Sequence, residues 1–325
     1  MAGANDNDTV IRVAAFDHMR ALAQVHHHLN LNVGKKGRVA FRQGELAMTT
    51  RVGFIGLGNI GKPMAINVAK AGFDLMVYDL RAEPMRELTA LGAKPARSAD
   101  EVGAHAEIIE VVVVDDAQVE AVLLGEGGVF SGAKRGSVIA IHSTVHPRTI
   151  RRLAEQAAVK GLTLIDAEVS GGERGAIAKS LCYMVGGDKT AFEKCHPIFA
   201  TSGANIFHLG DLGSGAITKL AHNLIVYVNM LAASEGMRLA ERAGVDVKAL
   251  ERVVRAGAAQ SRVADHWSEQ RKLGETYTSG PKGLLALIHK DLRLALELGH
   301  DLGLTLPGAA LTQQLIQRVF NVEGS

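Results

Sequence analysis

Cysteine, charge imbalance and long apolar runs are what this sequence lacks. Its two cysteines, Cys182 and Cys195, are too far apart for a CxxC or zinc-type spacing. That excludes a disulfide framework and points to two packed thiols in a reducing cytosol, so a cytoplasmic protein is expected. Net charge is only +2, from 36 Lys and Arg against 34 Asp and Glu. A basic footprint for nucleic acid is therefore missing, and no such partner is expected. The longest uncharged stretch, residues 220–234, is interrupted by His222, Asn223 and Asn229. It falls short of the roughly 18 residues of a membrane span, so no membrane partner is expected either. The start has no basic segment followed by an apolar core and cleavage site, which excludes a secretory signal of the usual form.

What is abundant is glycine, at 36 residues, placed mostly at turns between apolar runs. Residues 1–48 lack this alternation and are expected to be an extension, disordered or outside the native start. Gly44-Glu45 can be encoded by a purine-rich ribosome-binding run, and Leu46-Ala47 would space it from Met48, the expected start. The triplet His26-His27-His28 has no companion ligands and reads as solvated, with no metal site expected.

From residue 49 a β-α-β rhythm begins. Residues 51–55 read as a buried parallel strand, and Gly56-Leu57-Gly58-Asn59-Ile60-Gly61 follows, opening a helix expected over 60–71. This is the strand–GxGxxG–helix context of a dinucleotide site. Gly56 permits the tight turn, Gly58 leaves room for pyrophosphate, and Gly61 allows close helix packing. The helix N-terminus offers free N–H groups to the phosphates. The next strand, 74–78, ends at Asp79, 18 residues past Gly61, where a carboxylate can hold the ribose hydroxyls. Asp79 favours NAD, while Arg81, two residues on, works partly in the other direction, so NADP stays open. Further strands are expected at 108–114, 138–141 and 162–166, with helices at 117–124 and 147–160. The fold class is thus α/β, a Rossmann-type doubly wound, mostly parallel sheet over 49–212. Ligands sit beyond the carboxyl ends of such strands, where His142-Ser143-Thr144 and the segment from Glu168 to Gly172 are expected.

An all-helical domain is expected over 213–325. Its long interdomain helix, 216–243, is apolar on nearly every side as far as Ala233 and should be buried. Lys219 sits near its start with Asn223 one turn later. Spacing alone leaves Lys219 open between a catalytic group and a snorkelling side chain. Helices are also expected at 247–256, 284–302 and 307–320, and spacing alone reads Lys290-Asp291 as a solvated helix face.

Four segments, in order, resemble the β-hydroxyacid dehydrogenases, the group of 3-hydroxyisobutyrate dehydrogenase, tartronate semialdehyde reductase and the 6-phosphogluconate dehydrogenases. GFIGLGNIGKPMAINVAKAG resembles the family's cofactor signature, DAEVSGGERGA its substrate-binding segment, GSGAITKLAHN its catalytic segment and KDLRLAL its C-terminal cofactor segment. The resemblance implies Lys219 as general acid and base and Asn223 as a substrate-binding asparagine. It implies Ser143, Ser170, Gly171 and Gly172 as binders of the substrate carboxylate. It implies Lys290 as a lysine at the cofactor, beside Gly56, Gly58, Asn59, Ile60, Gly61 and Asp79. It further implies a homodimer or homotetramer acting on a small hydroxyacid such as 3-hydroxyisobutyrate. Glu168 replaces the family's usual proline and is expected to face solvent. His142 replaces a common aspartate, and with His146 is expected to be a satisfied structural histidine. The chain also ends, over 321–325, without the tail that many relatives carry.

Other functions fit less of the pattern. An NADP-dependent reductase of glyoxylate or of succinic or tartronate semialdehyde would fit Asp79 less well. An imine reductase would usually place aspartate or tyrosine at Lys219. A non-catalytic dinucleotide-binding regulator would not need the lysine, asparagine and serine set. A 6-phosphogluconate enzyme would need further basic residues.

Overall fold

The computed structural model describes residues 50–320 apart from residue 278. The extension 1–48 with its histidine triplet, the expected start at Met48 and the tail 321–325 lie outside the described residues. Eight strands form one sheet: β1 (Arg51–Ile55), β2 (Asp74–Tyr78), β3 (Lys94–Pro95), β4 (Ile108–Val111), β5 (Val138–Ile141), β6 (Thr163–Ser170), β7 (Leu181–Gly186) and β8 (Gly203–His208). Their order is β3-β2-β1-β4-β5-β6-β7-β8. Every neighbouring pair is parallel except β6 and β7. The central strands are short Val- and Ile-rich runs buried along their length, as a sheet covered on both faces requires. One apolar cluster includes Val52, Phe54, Val77 and Ala140, and a second on the other face includes Ile109, Val111, Ile139 and Ile141.

Two strand ends depart from expectation. β4 stops at Val111 rather than Val114, because the chain turns there toward the glycine loop: a methyl group on Gly56 would lie 2.1 Å from the Val112 carbonyl oxygen. β6 continues to Ser170 rather than ending at Asp166, because the antiparallel β7 pairs with its last residues, Glu168 with Met184 and Ser170 with Cys182. Glu168 and Ser170 are therefore on a strand and not beyond its end. β7 and β8 were not among the expected strands, although residues 181–185 form a continuous apolar run, and they extend the sheet past β6.

The helical half begins with a 29-residue helix, Ser214–Arg242. It starts two residues earlier than expected because the buried Asp166 carboxylate accepts from Gly213 N and Ala216 N, each at 2.8 Å, and fixes the first turn. The helix packs on β6, β7 and the helix Gly280–Asp301. It is not buried all round, since Ile225 is 58% and Leu239 74% exposed. By length and composition this helix is apolar enough to cross a membrane, a test that core helices of soluble proteins also pass. Packing on the sheet accounts for only part of that apolar character, since 33% of its apolar 18-residue stretch is buried. The last expected helix divides into Pro307–Leu315 and a tighter 3-10 segment, Ile316–Phe320.

Candidate active site

The glycine turn follows β1 and leads into the helix Gly61–Lys70. Gly56 has φ +93°, a conformation that favours glycine. A methyl group on Gly61 would lie 2.0 Å from the Gly56 carbonyl oxygen, whereas one on Gly58 would meet nothing within 4 Å. Gly58 therefore borders open space and the other two lock the turn. No side chain caps the helix and its first turn holds no acid; Lys62 N already bonds the Gly58 carbonyl at 3.0 Å and Pro63 has no N–H, so an anion would be met by the other N–H groups of the turn. Asn59 hydrogen-bonds the half-buried Tyr277. Ile60 stands at the N-cap. These features fit the pyrophosphate of a dinucleotide.

Asp79 follows β2 and accepts from Leu57 N at 2.7 Å and Arg81 N at 2.8 Å. Arg81 folds back, donating through Nε to Asp79 at 3.1 Å and through Nη2 to the Leu57 carbonyl at 2.9 Å. Burial alone would push the Asp79 pKa up, but these donors hold it below the ordinary carboxylate value. Asp79 is thus an anion aimed at the turn, and Arg81 is within reach of the same place.

Lys219 projects from the long helix toward β6 and donates to the Val169 carbonyl at 2.8 Å. It does not snorkel. Burial pushes its pKa down, and the carboxylates of Asp291 and Glu168 pull it back up. The adjacent Ser170 Oγ lies 3.3 Å from His222 Nε2 on the next turn of the helix. Burial lowers the His222 pKa, so its imidazole is neutral near pH 7. Gly171 and Gly172 follow with φ +128° and +61°, turning the chain away from the sheet. Asn223 is buried, donating to Asp291 at 2.7 Å and meeting His222 Nδ1 at 3.1 Å. Tyr227 OH donates to the same Asp291 oxygen at 2.8 Å.

Ser143 is buried beyond β5, where its Oγ accepts from Val113 N at 2.9 Å. Lys290 reaches across from the helix Gly280–Asp301 and donates to the Thr144 carbonyl at 2.5 Å. Its Nζ also lies 2.9 Å from Asp291, and the two side chains are only 10% and 2% exposed. The expected solvated Lys290-Asp291 face is therefore wrong. The residue pair faces inward because Tyr227, Asn223 and the Thr144 carbonyl give it polar partners there.

Glu168 is also not at the surface: it is 0% exposed and neither carboxylate oxygen has a hydrogen-bond partner. His142 is satisfied, through Ala167 O at 2.6 Å and Glu110 at 2.5 Å. His146 accepts from Arg148 N at 3.2 Å at the start of the helix Pro147–Val159, but its Nε2 has no hydrogen bond. Cys195 is buried, while Cys182 is only partly so. Among the described residues no cluster of His, Cys, Asp or Glu could hold a metal ion.

The fold thus brings Lys219, Ser170 and Asn223 together, with Lys290 joined through Asp291. His222 and Tyr227 also belong to this cluster and were not singled out from sequence, and Asp291, expected at a solvated face, joins them. The signal for the first two was periodic: His222 and Tyr227 lie three and eight residues after Lys219, on the same helix face.

Comparison with known proteins was consistent over nearly all of the described chain. Residues 51–210 match a family model described as the NAD binding domain of 6-phosphogluconate dehydrogenase. Residues 213–325 match one described as NAD-binding of NADP-dependent 3-hydroxyisobutyrate dehydrogenase. A 2-(hydroxymethyl)glutarate dehydrogenase of Eubacterium barkeri is 35% identical over 82% of this chain and 88% of its own. A 2-hydroxy-3-oxopropionate reductase of Escherichia coli (strain K12) is 40% identical over 82% of this chain and 89% of its own. The solved structure of a Mycobacterium tuberculosis 3-hydroxyisobutyrate dehydrogenase with L-serine superimposes with a TM-score of 0.73 at 27% identity. It covers 85% of this chain and 95% of that one.

Proposed function

We propose, on the premise that this chain belongs to the β-hydroxyacid dehydrogenase family, that it transfers a hydride between NAD and a small 3-hydroxyisobutyrate-like acid, with Lys219 as general acid and base. As a member it is an NAD(P)-dependent oxidoreductase acting on a hydroxyl group. The observation that carries the finer reading is Lys219 Nζ, held at the Val169 carbonyl directly beside Ser170, with a pKa lowered by burial.

A bound nicotinamide cofactor would supply the hydride acceptor for oxidation of the hydroxyl, or the hydride donor for reduction of the carbonyl. As the hydroxyl is oxidised, the Lys219 amine takes its proton; in reduction the Lys219 ammonium gives a proton to the carbonyl oxygen. Ser170 and the N–H groups of Gly171 and Gly172 would hold the substrate carboxylate without adding a cation beside Lys219, and Ser143 would do so from the β5 side. Asn223, fixed by Asp291, would orient the hydroxyl. Gly56, Gly58, Asn59, Ile60 and Gly61 would receive the pyrophosphate, Asp79 the ribose hydroxyls, and Lys290 would stand near the nicotinamide end. Arg81 supports a second reading in which NADP is also used, because its guanidinium already lies at the Asp79 carboxylate and could meet a 2′-phosphate.

The same proposal includes the division into domains at 49–212 and 213–325 and a cytoplasmic location, which the two free thiols support. It includes a homodimer or homotetramer, supported by the exposed apolar side chains of the long helix. The test is a panel of β-hydroxyacids assayed with NAD and NADP, for the wild type and Lys219→Ala. The variant is expected to lose roughly 10²–10⁴-fold in turnover while still binding NADH. Near-wild-type turnover in Lys219→Ala would remove the assignment.

A further inference from the structure

Among the described residues, Glu168 alone has two buried carboxylate oxygens that both lack a hydrogen-bond partner. The residue is fully buried. Its carboxyl lies against the first turn of the long helix. A methyl group on Gly215 would sit 2.7 Å from Glu168 Oε2 and 2.9 Å from Asp166 Oδ2. Both Asp166 oxygens already accept backbone N–H groups, from Gly213 and Ala216, which favour its anion, while burial pushes its pKa up. A second anion in the same place, dehydrated and without a donor, is strongly disfavoured.

Lys219 lies one turn beyond Gly215 on the same helix face, and its Nζ donates to the carbonyl of Val169, the residue after Glu168. The charged and titratable groups around this point are few. Asp166 comes from β6 itself and Cys182 from β7. Lys219 and His222 come from the long helix, and Lys290 and Asp291 from the helix Gly280–Asp301. Burial and then Asp166 push the Glu168 pKa well above the ordinary glutamate value, and Lys219 and Lys290 pull it down. The coupling is mutual, since Glu168 raises the Lys219 pKa. Two single proton losses are open to the pair. Loss from the carboxyl leaves opposite charges that attract each other, and loss from the ammonium leaves none.

We propose that Glu168 is a positioning residue for proton transfer: a buried carboxyl without a hydrogen-bond partner, whose anion, once formed, holds Lys219 as the ammonium needed for reduction. This rests on Lys219 being the acid–base group. The Glu168 proton is exchanged with solvent as pH rises and is not consumed in turnover. The substrate proton still moves only between the hydroxyl oxygen and Lys219 Nζ. As an anion, Glu168 favours the reductive direction and moves the onset of oxidation to higher pH.

The test compares wild type with Glu168→Gln, using 3-hydroxyisobutyrate and NAD, or whichever acid of the panel turns over fastest, and the matching aldehyde acid with NADH. In kcat/KM profiles the acid limb of oxidation and the alkaline limb of reduction should both fall in the variant by about one pH unit or more, with the plateau rates retained. Limbs that stay in place would overturn the proposal. Infrared titration gives a second readout that does not need the variant to fold. A protonated carboxyl band should persist in the wild type well above pH ~4.3 and persist to still higher pH in Lys219→Met. A wild-type enzyme with no such band would overturn the proposal by itself. The two ideas fail separately: normal turnover in Lys219→Met removes the lysine assignment, and unmoved limbs with an inactive Lys219→Met remove only the role of Glu168.

Discussion

At the scale of single residues, the molecule carries one strong tension, the Glu168 carboxyl, and its signature should appear in stability. The sign follows from linkage. The folded pKa of Glu168 is raised, so between the unfolded value, about 4.3, and the folded one the native state binds the extra proton. Stability is fully present below that window and is lost as pH rises through it. Glu168→Gln has no such proton, so the melting temperature of the variant minus that of the wild type should grow as pH rises from 5 toward 8. A difference that is flat with pH would show that the carboxyl is not protonated in the fold. Sequence made Glu168 visible as a departure from a motif but placed it in solvent. Its burial depends on strand β7 pairing with the end of β6, a long-range contact with no local signal. Lys219 was left open between two roles for a similar reason. Helix periodicity places its Cβ but cannot say that the Val169 carbonyl waits across the gap.

Elements were more legible. Strands β1, β2 and β5 and the helix Val247–Ala256 occupy the expected residues, because period, glycine and caps agree there. The glycine turn belongs to this scale, since its three glycines act together yet for different reasons. Gly56→Ala should lower stability by several kcal/mol, because it combines a left-handed backbone with a contact to the Val112 carbonyl. Gly58→Val should melt within about 0.5 kcal/mol of wild type, as an open site allows, yet bind NADH at least tenfold more weakly. Calorimetry with NADH fluorescence titration separates the two cases. Equal affinity in Gly58→Val would mean that the pyrophosphate does not approach there. What sequence missed were strand ends: β4 is shortened by its turn toward Gly56 and β6 lengthened by β7.

For the whole molecule, the long helix is the deciding feature. Its sheet-facing side is covered, while Ile217, Ile225 and Leu239 remain 36%, 58% and 74% exposed. Sequence read this helix as buried on nearly all sides, which holds only if another chain covers the open face. Ile225→Glu should therefore shift the light-scattering mass from an oligomer toward a single chain. Both variant and wild type running as single chains would reject the homo-oligomer.

One quieter contact also binds distant parts. Asn67, two turns into the helix that follows the glycine turn, donates to the Ala176 carbonyl at 2.8 Å and to Ser202 at 3.1 Å. The helix that would receive the phosphates is thereby bolted to the segment just after Ser170-Gly171-Gly172. Cofactor and acid would dock on one preassembled frame. The enzyme would then resemble a jig that holds two workpieces in register, and loosening that one bolt would blur their alignment while leaving each grip intact.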